Sequence, residues 1–249
     1  MMKQINKWLF VAILLSITAG FTSCGSDDND EDNSVIIQKE KDRYDEFVTP
    51  ELEDVLKTKL GMTIHRGINP PNVQGYFRME TNCVKSTIKN DYLVGKLINN
   101  LKINLFDQKG LEISMNGFEV ATNTNNFKAS HEALGTFISG EGDNFSIFFN
   151  EEVVALAAHY TNFCVLSGTL DRDAKGNVIG IKNFEYSLLM RNNNGFITLM
   201  PNNEGRLFRD DYTPIISETE YNTIVGGPEQ KNVEKNTDVS ISMASLRIN

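Results

Sequence analysis

The chain has 249 residues, 40% hydrophobic and 23% charged, a composition that supports a buried core and excludes a collagen, a disordered polymer and a disulfide-stapled miniprotein. With 24 Lys and Arg against 33 Asp and Glu the formal charge is −9, so no surplus of cations is present to neutralise a phosphate backbone. Nucleic acid is therefore not an expected partner.

Lys3 and Lys7 precede residues 8–18 (WLFVAILLSIT), an 11-residue apolar run. That is the length of a signal-peptide core and well short of the roughly 20 residues of a membrane-spanning helix. Small residues follow, then Phe21-Thr22-Ser23-Cys24-Gly25. This arrangement resembles a bacterial lipobox, which implies cleavage after residue 23 and acylation of Cys24. The mature chain would then be tethered to an outer membrane through lipid. Residues 25–34 carry five acids and no base, and residues 25–46 nine acids and three bases. Such a stretch reads as a solvated tether over residues 24–46, with a single β domain over residues 47–249. An acidic stretch directly behind the lipidated cysteine also resembles the surface-export signal of Bacteroidetes-type lipoproteins, leaving the cell surface and the periplasmic face as the two locations.

One helix is marked by Thr49 as N-cap, Pro50 at its first position, early acids, late lysines and Gly61 just beyond. Leu52, Val55, Leu56 and Leu60 form its buried stripe. After it the hydrophobic period falls to two, with turn residues every ten to fifteen positions. Strands are expected at residues 73–79, 97–105, 111–120, 133–139, 145–149, 163–170, 178–190, 196–200 and 239–243. Asp107 to Gly110 links two of them as a hairpin, and Gly140 to Asn144 links two more. A phase change places a bulge at Asn116-Gly117, and the phase of the 178–190 strand switches again near Lys182-Asn183. Residues 210–236 are polar and read as a long loop. The fold class is all-β, an antiparallel barrel of eight to nine strands or a rolled sandwich, with one short N-terminal helix.

Residues 69–77 (NPPNVQGYF), 134–140 (LGTFISG) and 181–184 (IKNF) resemble stretches in a group of Bacteroidetes lipoproteins. The helix followed by Gly75-x-Phe77 resembles the lipocalin layout, which implies a calycin-like barrel. Lipocalins carry Trp where Phe77 stands, and Trp8 is the only Trp of this chain.

With Cys24 assigned to lipid, Cys83 and Cys164 remain in a chain bound for an oxidising compartment. They either pair or stay as two inert buried thiols. His131-Glu132 opens like a zinc-protease motif, but Gly135 stands where the second His is needed. His65, His131 and His159 have no ligand spacing and read as surface or structural residues. Asp171-x-Asp173-x-Lys175-Gly176 begins like a calcium loop, yet Lys175 and Lys182 occupy ligand positions, so it reads as a turn. Glu151-Glu152 and Asp210-Asp211 are paired acids whose members face opposite sides of a strand, although distant acids can still meet in space. No catalytic motif emerges, and no metal or cofactor is expected. The resulting expectation is a non-enzymatic barrel for a small apolar or amphipathic ligand. Its alternatives are an interaction or adhesion protein working through residues 201–236 and, third, a glycan-processing enzyme.

Overall fold

The computed structural model describes residues 33–155 and 158–226. Eight antiparallel strands follow one another around a ring: β1 (Gly75–Ser86), β2 (Leu97–Lys109), β3 (Glu112–Val120), β4 (Phe127–Glu141), β5 (Asn144–Ala155), β6 (Ala158–Arg172), β7 (Val178–Asn192) and β8 (Gly205–Ile216). The last strand pairs antiparallel with the first, so the barrel is closed and no sheet edge is left open. Of the two all-β architectures expected, the barrel is the one formed.

Alternation within each strand sends one set of side chains inward. Phe77, Met79, Ile103, Phe145, Ile147, Phe184 and Leu188 meet there in one buried cluster. A second core lies outside the barrel wall, where Phe137, Phe148, Phe163, Val165, Leu189 and Leu207 face two helices. These helices are α1 (Asn33–Phe47) and α2 (Pro50–Glu53), the latter continued by a π-helical stretch, Asp54–Lys59. The expected cap is in place: Thr49 Oγ1 accepts from Leu52 N at 3.4 Å, and Gly61 leaves the helix at φ 71°. Leu52, Val55, Leu56 and Leu60 are all buried.

Helix α1 corrects the expected tether, because residues 33–46 are folded against the barrel. Tyr44 packs edge-on against Phe148 and Phe47 stacks near Phe137. The buried Glu40 carboxylate receives both the Arg66 guanidinium, at 2.6 and 2.7 Å, and the Ser139 hydroxyl, at 2.7 Å. The other acids of the helix stay on its wet side, where Lys41–Asp45 and Arg43–Glu46 pair along the surface.

Three further expectations change. Strand β8 takes up residues 210–216 of the supposed 210–236 loop, and α3 (Glu218–Asn222) follows it. Residues 196–200 form part of the β7–β8 connection instead of a strand. The bulge at Asn116-Gly117 is absent from the β2–β3 ladder, whose register runs unbroken from Asn100↔Val120 to Phe106↔Ser114. Phe118 and Val120 point outward, and Phe118 is covered by Tyr221 of α3, with ring centroids 5.4 Å apart. Apolar residues on the outer wall had imitated a change of phase. The second phase change marks a bulge: Asn183 has φ 50°, and the β6–β7 register shifts between Ser167 and Thr169. The expected strand at 239–243, the leader and Cys24 lie outside the described residues.

Candidate functional site

The barrel interior is not uniform along its axis. Towards the end closed by the short hairpin turns at 110–111 and 142–143, the inward residues are apolar, among them Leu105, Ile113, Met115, Phe145 and Leu170. Towards the opposite end, where the β1–β2 and β7–β8 connections lie, polar groups join Leu93, Leu199 and Met200 in the interior.

Continuing the inward register of Ile113 and Met115, β3 places Gly117 and then Glu119 in the interior. His131 on β4 is paired with Gly117 and so faces the same side of the sheet. Glu151 on β5 is paired with Ala133 and with Asn162 of β6, which puts all of these groups on one side of the sheet. The outcome is a chain of contacts across the barrel. His131 Nδ1 meets Glu151 Oε1 in a short hydrogen bond, and Nε2 lies 3.4 Å from Glu119 Oε1. The second oxygen of each carboxylate accepts an amide: Asn162 Nδ2 donates to Glu151 at 2.9 Å and Asn99 Nδ2 to Glu119 at 3.0 Å. The side chains of His131, Glu119 and Glu151 are at most 4% exposed.

Burial alone would drive the His131 proton off, but the carboxylates of Glu151 and Glu119 outweigh it and hold the imidazole up to about 10. At neutral pH the ring is therefore an imidazolium and a poor general base. The three groups form one compact polar cluster inside the barrel, an imidazolium held between two carboxylates. Such an arrangement is suited to receiving a donor or a cation more than to shuttling a proton.

The loop end is closed by its own ion pair. Arg206 on β8 points inward, and its Nε bonds Asp91 Oδ2 at 2.7 Å with both side chains 1% exposed. Burial works to raise the Asp91 carboxyl, yet Arg206, Ser86 and the Leu93 amide together hold it below the ordinary value. Asp91 thereby fixes the β1–β2 connection and drives Leu93 into the core, beside Leu199 and Met200 of the β7–β8 connection.

Of the residues singled out in the sequence, the structure brings His131 and Glu151 together and adds Glu119. Glu152 points outward and pairs with the exposed His159, as alternation required. His65 is half-buried, and its amide donates to Ser146 Oγ. The Asp171–Gly176 segment is a turn in which Asp173 Oδ1 accepts from Lys175 N and Asn177 N, while Lys182 pairs with Asp171. Asp210 accepts from Thr213 Oγ1 and Glu80 N and belongs to the wall. Among the described residues, no group of three His, Cys, Asp or Glu side chains is arranged to hold a metal.

Cys83 and Cys164 are both buried and free. They sit on β1 and β6, and β7 and β8 stand between those strands, so the pairing is beyond disulfide reach. Burial raises the Cys83 thiol to about 11 and the Cys164 thiol well above its ordinary value. Alkylation by iodoacetamide at pH 8 is accordingly expected at neither position in the folded chain and at both after denaturation. Fast labelling of either cysteine in the folded chain would contradict this burial.

No protein family, curated protein or solved structure matches the chain.

Proposed function

We propose that the chain is a lipid-anchored cell-envelope protein, held through Cys24, whose barrel binds a small amphipathic molecule without transforming it. One observation carries this reading: inside the barrel an apolar cluster adjoins the buried Glu119–His131–Glu151 network. A buried ionic network is costly to keep, and well-packed apolar residues of similar volume are often no less stable. Its position above an apolar floor matches a ligand with a hydrocarbon body and one protonated amine, the body against the apolar residues and the amine at the Glu119 and Glu151 carboxylates. The calycin-like layout and the lipobox resemblance point the same way, since both belong to exported carriers and binders.

The test is calorimetric titration of the folded protein with single-chain amphiphiles of one tail length, bearing an ammonium, a zwitterionic or a sulfate head. Saturable one-to-one binding is expected with the ammonium head strongest. The His131→Leu/Glu119→Gln/Glu151→Gln variant should lose the head-group preference while keeping its fold. Absence of saturable binding by all three amphiphiles would overturn the reading.

A further inference from the structure

We infer that the loop end of the barrel is a docking surface for an anionic lipid bilayer, separate from any attachment through the N-terminus. The β1–β2 connection buries Leu93 but leaves Tyr92 60% and Val94 45% exposed. The β7–β8 connection likewise buries Leu199 and Met200 and turns Ile197 outward, at 86% the most exposed large apolar side chain among the described residues, with Phe196 beside it. Both connections leave the barrel at the same end, because β1 and β7 finish there and β2 and β8 begin there. Apolar tips at one end of a barrel are what an interfacial anchor requires, and Tyr92 is of the aromatic type that settles at headgroup depth.

Charge selects the occupant. Although the chain is acidic overall, lysines stand beside these tips: Lys89 and Lys96 in the β1–β2 connection, and Lys128 at the start of β4. Acids also lie at this end, and of those described three have partners. Asp91 is neutralised by Arg206 inside the barrel, Glu152 pairs with His159, and Glu204 accepts from Thr87 Oγ1. Lys96 lies over the Tyr92 ring, so a cation and an aromatic reach the surface as one unit. Apolar tips flanked by lysines are complementary to a negatively charged membrane face and not to an acidic polymer, which would leave Ile197 and Phe196 in water.

The experiment uses the full chain carrying Cys24→Ala, so that a single added cysteine takes an environment-sensitive fluorophore. In one protein the label is at Ile197→Cys; in the other it is at Ile179→Cys, beside the turn at the opposite end. The residue 8–18 segment is common to both and cannot distinguish them. With vesicles containing phosphatidylglycerol, the label at 197 should shift to the blue and be quenched by nitroxide lipids, while the label at 179 keeps its aqueous emission. Replacing Lys89 and Lys96 by glutamine should lower the ratio of lipid-contacting to aqueous label at 197 about thirtyfold, at the usual gain per basic residue near an anionic surface. Aqueous emission at both positions would overturn the inference, as would equal shifts at 197 and 179. An undiminished shift in the lysine variant, or in purely zwitterionic vesicles, would overturn its electrostatic basis.

Discussion

Replacing His131 by leucine is expected to remove about 3–5 kcal/mol of unfolding free energy at neutral pH, read from urea denaturation. The imidazolium lies between the inward carboxylates of Glu119 and Glu151, each of which also accepts from a side-chain amide. Leucine would leave two like charges facing each other in the interior. The same network makes stability depend on pH. His131 holds its proton up to about 10 in the folded chain but only to about 6.5 when unfolded. Between these values the folded state binds more protons than the unfolded state. Its contribution is therefore complete below pH 6.5 and is lost as the pH rises through 10. Wild-type stability should fall over that window, and the fall should be much smaller in the His131→Leu/Glu119→Gln/Glu151→Gln variant, which removes all the charge. That variant should also recover most of the stability lost in His131→Leu. A single variant as stable as the wild type would show that the network carries no charge at neutral pH.

Arg206→Met is expected to have an effect of comparable size, about 3–5 kcal/mol, because it strands Asp91 without its guanidinium at a site where both side chains are 1% exposed. The consequence should be local as well as global. Asp91 holds the β1–β2 connection down, so hydrogen exchange across residues 87–96 should rise in the variant before the rest of the barrel responds. Asp91→Leu/Arg206→Met should regain much of the stability, since no charge is then left unpaired. Similar losses in the single and double variants would mean that Arg206 acts through packing and not through its charge. The Asp91 carboxyl is held below its ordinary value, so its contribution is present above pH 4 and lost as the pH falls through the lowered value.

The sequence made the barrel legible wherever one face of a strand was polar and the other was not. The Thr49 cap, the Leu52–Leu60 stripe, the alternation at Phe145, Ile147 and Phe149 and the bulge beside Asn183 all have local causes, and all appear in the structure. Strand β8 was hidden because Asp210, Asp211 and Pro214 interrupt its pattern. Asp210 serves as an acceptor for Thr213 and Glu80, while Pro214 sits opposite Gly180, where no side chain crowds the ring. Helix α1 was hidden by its charge, because Tyr44, Phe47 and the paired Glu40 are its buried residues and Ile36 adds only a partly buried one.

The functional site was obscured by a sound rule applied where it fails. Polar residues in a strand are ordinarily placed outside, and Phe118 and Val120 looked like the core face. Here the outer face is covered by α3 and the segment around it: Lys102 on β2 donates to the carbonyls of Glu220 and Thr223 at 2.6 and 2.8 Å, and Tyr221 lies on Phe118. Glu119 is consequently an interior residue. The odd-numbered register from Ile113 through Met115 and Gly117 was the available signal. No spacing within the sequence could join it to His131 and Glu151, because only the closure and register of β3, β4 and β5 bring the three together.

The chain has three histidines, His65, His131 and His159, which makes imidazole NMR the most direct test of a ligand head seated at the buried network. The ring resonances would be followed while an ammonium amphiphile is added to the full chain. The expected result is a saturable shift of the His131 resonances in step with binding, with those of the exposed His159 unchanged. Saturable binding that leaves His131 unmoved would place the ligand elsewhere and contradict the account.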